Sequence, residues 1–133
     1  MRPAITAPVM RFLGASDIAR AAAFYRDVLG FDIRQVDGAT EAHRGPARLR
    51  FDQRPEDSAM VFFETDDVDA MRAEIVERGG NPSTAEKLNW IKIRMFYLRD
   101  PDGHTLCFGK SYNVPDCPRP AALVRKALPE LPC

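Results

Sequence analysis

The sequence predicts an α+β fold of two tandem βαβββ modules. Two repeats carry that prediction. "VMRFLGASDIARAAAFYRDVLG" (9 to 30) aligns without a gap on "AMVFFETDDVDAMRAEIVERGG" (59 to 80) at an offset of 50, so that Met10 meets Met60, Phe12 meets Phe62 and Asp17 meets Asp67. Further on, "ARLRFD" (47 to 52) resembles "HTLCFG" (104 to 109) at an offset of 57, placing Arg50 against Cys107. Two blocks with matching roles in the same order are the mark of a duplicated unit.

Each unit opens with a short β-prone run, 9 to 14 or 59 to 64. It then passes a capping candidate, Ser16 or Asp66, and continues as a helix that ends at Gly30 or Gly80. Apolar residues at Ile18, Ala21, Ala22, Tyr25, Val28 and Leu29, and at Val68, Met71, Ile75 and Val76, recur at helical spacing and define one buried face per helix. Two strands follow in each copy: 32 to 36 and 40 to 44 in the first, a short one near 82 to 84 and a long one over 90 to 98 in the second. The turn "DPDG" (100 to 103) then leads into the last strand, with proline presetting φ and Gly103 free to take a positive φ. Residues 1 to 112 read as one domain, with modules over about 8 to 53 and 58 to 112. The tail from 113 to 133 holds five prolines, and a short helix is expected over 121 to 128.

Basic and acidic side chains balance at 19 each, which removes the electrostatic case for nucleic acid or an anionic membrane surface. The first residues lack a signal-peptide pattern and there is no long apolar run, so a cytoplasmic location is expected. Three cysteines, at 107, 117 and 133, form no CxxC pair and read as reduced thiols.

Strand alternation assigns the faces. Leu49, Phe51, Leu106 and Phe108 should cover the helices, which turns Arg48, Arg50, Thr105 and Cys107 to the opposite face together with Met10, Phe12, Met60 and Phe62. In the long strand Ile91, Ile93, Met95 and Tyr97 read as the helix-facing set, which leaves Trp90, Arg94, Phe96 and Leu98 for the cavity.

"SDIARAAAFYRDVLGFDI" and "RDPDGHTLCFGKSY" resemble the two signatures of the vicinal oxygen chelate superfamily, which includes glyoxalases, extradiol dioxygenases and bleomycin-resistance proteins. The resemblance spans roughly residues 8 to 112 and implies paired modules around a cavity, commonly in a dimer. It also implies that the metal-ligand positions of metal-dependent relatives fall on Met10, Met60 and Cys107, with Arg50 at the fourth corner. Relatives use His, Glu or Gln there, because a hard divalent cation needs imidazole or oxygen donors. Thioethers, a thiol and a guanidinium do not supply them.

The expectation is therefore a metal-free, cofactor-free homodimer, closest to the bleomycin-resistance branch, that binds or sequesters a small planar, partly anionic organic molecule. An antibiotic or a toxic metabolite would suit. The expected lining is Phe12, Phe62, Trp90 and Phe96 for stacking, Arg48, Arg50 and Arg94 for an anionic or carbonyl group, Met10 and Met60 as adaptable filler, and Cys107 as an inert buried thiol. His104, after the turn, is expected at the surface, and the facing of His43 is open. One alternative is a metal-dependent lyase, isomerase or dioxygenase using His43 with Glu41 or Glu64. The other is an interaction module whose cavity is filled by its own Phe and Met side chains.

Overall fold

The computed structural model describes residues 2 to 54 and 58 to 112. The expected tail helix, Cys117 and Cys133 lie outside the described residues. In chain order the elements are β1 (Val9–Ala15), α1 (Ile18–Asp27), β2 (Asp32–Val36), β3 (Ala39–Arg44), β4 (Ala47–Gln53), β5 (Met60–Glu64), α2 (Val68–Glu77), β6 (Glu86–Leu88), β7 (Ile93–Arg99) and β8 (Thr105–Ser111). They form two four-stranded mixed sheets of identical topology, β1-β4-β3-β2 and β5-β8-β7-β6. In each, the first strand runs parallel to the last and the other pairings are antiparallel.

The registers carry both sequence offsets into space. Met10 lies beside Arg48 and Phe12 beside Arg50 in the first sheet, as Met60 lies beside Thr105 and Phe62 beside Cys107 in the second. Both helices begin one residue later than the expected caps. Asp17 accepts from the Arg20 amide at 3.1 Å and Asp67 from the Ala70 amide at 3.0 Å, because the carboxylate that reaches the third amide onward belongs to the last extended residue. In the second module the edge strand is Glu86–Leu88 rather than 82 to 84. Ser83 is instead held beside β7, its amide donating to the Tyr97 carbonyl and its hydroxyl accepting from the Tyr97 amide.

One core fills the space between the helices and both sheets. Tyr25 packs edge-on against Phe31, Phe31 meets Phe63, and Phe63 stacks on Phe108, so an aromatic chain runs from one module into the other. Polar contacts bind the modules reciprocally. Arg44 of β3 reaches Glu74 of α2 at 2.9 Å, and the Arg11 guanidinium donates to the Met60 carbonyl at 2.8 Å across the seam between β1 and β5.

The β7–β8 turn is the second link, which corrects the surface position expected for His104. His104 is 1% exposed. Its Nδ1 accepts from the Ala59 amide at 2.9 Å and its Nε2 donates to the Gly14 carbonyl at 2.8 Å, an arrangement that specifies the neutral Nε2–H tautomer. Asp100 accepts from the amides of Asp102 and His104 and from the Tyr25 hydroxyl, while Asp102 accepts from the amide and hydroxyl of Ser16. The turn predicted from proline and glycine chemistry is thus also the clasp that fastens β8 to the first module.

Candidate functional site

Opposite the helices, each sheet presents a face that leaves large apolar side chains open to solvent: Met10 is 48% exposed, Phe12 54%, Met60 66% and Phe62 40%. The four expected corners share this face, since residues paired across adjacent strands point the same way. Within the single chain the face is open. That differs from an enclosed cavity and from one filled by its own Phe and Met side chains.

Its first half is ionic. Glu41 on β3 lies beside Arg50 of β4, and His43 beside Arg48. Glu41 has no exposed surface, yet it sits on the sheet face directly beneath its partners rather than deep in the core. It accepts from Arg48 through Nε at 2.8 Å and Nη2 at 3.0 Å, from Arg50 through Nε at 2.7 Å, and meets His43 Nε2 at 2.8 Å. Hydrogen bonds from Arg48 foremost, then His43 and Arg50, outweigh desolvation and hold its pKa at about 2.

Its second half is uncharged at its centre, with Arg99 beside Thr105 at one end and Glu64 beside Gly109 at the other. Phe62, Cys107 and Tyr97 form a row across β5, β8 and β7. Cys107 is 4% exposed, and burial pushes its thiol up from the ordinary value, so it stays protonated at neutral pH. The Phe62 ring rests over Gly109, where an added Cβ would stand 3.0 Å from two ring atoms and 3.0 Å from the Met95 Cβ. Beyond Tyr97 a groove of about 480 Å³ is lined by Ser83, Thr84, Glu86, Leu88, Met95 and Tyr97.

Four of the residues expected at the cavity lie elsewhere. Phe96 is 1% exposed and stacks on Phe108 in the core, because it pairs with Phe108 and not with Cys107. Leu98 shares that side, paired with Leu106. Arg94 also belongs to the helix side, where its guanidinium meets Asp69 of α2 at 2.6 Å. Trp90 sits in the turn before β7, 81% exposed and outside any strand. The residues that take their places, Met95 and Tyr97, had been assigned to the core. "IKIRMFYLR" is apolar on both parities, so alternation cannot choose between them. Counting outward from the "DPDG" turn can: Arg99 then faces Thr105 and Tyr97 faces Cys107, as found.

The corner set does not fit a divalent cation. Met10, Met60 and Cys107 offer soft sulfur, and Arg50 brings a positive charge to the fourth corner. Glu41 and His43, the alternative donors, are engaged with each other and with the arginines, while Glu64 lies at the end of β5 and accepts from Thr6. No group of three or more His, Cys, Asp or Glu that could hold a metal occurs among the described residues.

Topology defines a paired-βαβββ protein whose two sheets leave an open face on the side away from the helices. The chain belongs to the family of the glyoxalase-like domain, whose model matches residues 10–109. Its structure is similar to TnmS3, an antibiotic binding protein from Streptomyces sp. CB03234, at 26% identity and a TM-score of 0.65 over 82% of this chain and 98% of that one. It is similar to a glyoxalase/bleomycin resistance protein from the same organism at 27% identity and a TM-score of 0.61, over 78% and 100%. The fold is shared with virulence protein STM3117 from Salmonella typhimurium at 22% identity and a TM-score of 0.65, over 81% and 98%. None of the curated proteins matches in sequence.

Proposed function

We propose that this chain is a metal-free small-molecule-binding protein that acts by sequestration, as a cytosolic homodimer, on a planar and partly anionic organic compound such as an antibiotic or a toxic metabolite. One observation carries the reading. The four corners where metal-dependent relatives place their ligands hold Met10, Arg50, Met60 and Cys107 on an open face of phenylalanine, methionine and arginine, a set suited to stacking and anion recognition and unsuited to Lewis-acid chemistry. The likeness to an antibiotic binding protein supports it. So does the buried thiol, which burial holds in its unreactive protonated form. A second copy laid over the open face would cover apolar surface that one chain leaves wet.

Native mass spectrometry with elemental analysis on one preparation tests this reading. The expected result is a dimer that carries no stoichiometric divalent metal and gains one mass per site from a library of aromatic acids and polycyclic antibiotics. A stoichiometric divalent ion whose removal abolishes a turnover overturns it.

A further inference from the structure

The chain contains two histidines, and the structure uses them differently. His104 is 1% exposed, and both of its ring nitrogens are spent on the backbone of Ala59 and Gly14. His43 spends one. Its Nε2 lies 2.8 Å from Oε1 of Glu41, a carboxylate without exposed surface that hydrogen bonds from Arg48 and Arg50 help to keep ionised. An ionised carboxylate only accepts, so Nε2 carries the hydrogen and the neutral ring keeps its lone pair on Nδ1. Nδ1 has no partner among the described residues. It is not sealed off either, since Asp102 Oδ2 is the one buried side-chain polar atom without a partner among them. The His43 side chain is 18% exposed and shares the open face with Arg48, its partner across β3 and β4.

A carboxylate that fixes the tautomer, and a ring whose second nitrogen meets solvent, are two parts of a general base. The third part of such a site is a donor for a developing oxyanion, and it stands alongside. Arg48 Nε reaches the same Glu41 oxygen at 2.8 Å, so guanidinium and imidazole converge on one atom. Glu41 takes up Nε and Nη2 of Arg48, Nη1 has no partner among the described residues, and the side chain is 45% exposed. Around the pair, Asp32 and Arg34 of β2 meet at 3.8 Å, Asp52 of β4 meets Arg54 at 3.7 Å, and Asp37 in the turn before β3 acts on Arg48 through its charge. Charges of both signs are thus present together, and the arrangement, not a net charge, distinguishes the spot. Met10, 48% exposed, lies beside Arg48 and gives the apolar part of a substrate a contact. Water has access to this face, which suits a reaction that consumes water, whereas reactive carbanions need water excluded.

We propose that His43, positioned by Glu41, is a general base for the hydrolysis of carboxylic esters or lactones on the open face, with Arg48 Nη1 donating to the acyl oxygen. Nδ1 takes a proton from water as the water oxygen bonds to the acyl carbon. The tetrahedral oxyanion then collapses, the bond from the acyl carbon to the leaving oxygen breaks, and the proton passes from Nδ1 to that oxygen or to solvent. Water is the co-reactant, and no oxidant or reductant is needed. The activity is additional to sequestration and shares only the face with it, so the two readings fail separately.

Hydrolysis of 4-nitrophenyl benzoate by the full chain, followed by release of 4-nitrophenolate, tests it. The parent should exceed an equal concentration of free imidazole by about tenfold or more, and His43→Gln should lose that excess. Arg48→Met should slow hydrolysis as well. Diethylpyrocarbonate makes the test independent of whether a variant folds: in the folded parent it should modify His43 and spare His104, read by peptide mass mapping. Activity should be lost in step with modification at residue 43 and return with hydroxylamine. A parent no faster than free imidazole, a folded His43→Gln protein that keeps the parent rate, or complete modification at residue 43 with the rate unchanged overturns the proposal and leaves the binding reading standing. A benzoyl group trapped on His43 during turnover would make the ring a nucleophile and overturn the general-base role.

Discussion

Glu41 keeps its charge on a crowded face because three guanidinium N–H groups and an imidazole surround it. Glu74 repeats the solution on α2. Burial alone would raise its pKa, but hydrogen bonds from Arg2 and Arg44, together with their charges, hold it at about 2. Both carboxyls therefore titrate below the ordinary value of 4.5 in the folded chain, so the unfolded chain binds more protons as pH falls. Their contribution to stability is present above about pH 4.5 and is lost between there and about pH 2. Urea midpoints taken across that interval should fall for the parent and fall less for Glu41→Gln with Glu74→Gln. Identical pH profiles for the two proteins would contradict the assignment.

Cys107 answers to packing rather than reactivity. A small side chain is what its place between Phe62 and Tyr97 admits, and burial keeps the thiol protonated. Cys107→Ala should leave ligand binding within a few-fold of the parent, and iodoacetamide should alkylate residue 107 in the native protein far more slowly than in urea, read by peptide mass mapping. Loss of a measured turnover in a folded, ligand-binding Cys107→Ala protein would make the thiol a nucleophile instead.

The β7–β8 hairpin does two jobs at the level of the element. Its strands place Tyr97 and Cys107 on the open face, while its turn anchors β8 to α1 through Tyr25 and Asp100 at 2.8 Å. Tyr25→Phe removes that donor and leaves a buried carboxylate oxygen without its partner, so a loss of about 1.5 to 3 kcal/mol is expected in equilibrium denaturation. The ends of the two helices meet just as closely. A Cβ at Gly80 would lie 2.5 Å from Ile75 Cγ2 and 2.8 Å from Val28 Cγ1, so Gly80→Ala should also destabilise, by about 1 to 3 kcal/mol as an overpacked contact. A Gly80→Ala protein as stable as the parent in the same assay would mean that the two helix ends separate freely. Here local chemistry was readable in part. Proline, glycine and aspartate specified the turn and the capping regions, but the one-residue shift from Ser16 and Asp66 to Asp17 and Asp67 depended on which carboxylate the folded backbone aims at an amide.

For the whole molecule, the open face and the exposed outer edges of β2 and β6 pose one problem, since apolar side chains and unpaired strand groups lie together at the surface. Association with a second copy would address both. Light scattering at micromolar concentration should therefore return about twice the 14.9 kDa chain mass, and Met60→Lys with Phe12→Lys should shift it towards one chain. A monomeric parent would leave the face free for its ligand alone and remove the dimer from the reading.

Taken alone, the sequence determined the duplicated βαβββ order, the helix-facing residues of the two final strands, and the positions of Met10, Phe12, Met60 and Phe62 on a common face. Each of these follows from periodicity or from an alignment of the chain with itself, and neither needs long-range information. Tertiary structure decided what periodicity leaves degenerate. Phe96 and Arg94 went to the helix side and Met95 and Tyr97 to the open face because register, and not hydrophobicity, selects between two apolar parities in β7. Glu41 became the ionic centre because only strand pairing brings residues 41, 43, 48 and 50 into one cluster. His104 moved from the surface to the module junction because its two partners, Gly14 and Ala59, are distant in sequence and meet it only when the chain has folded.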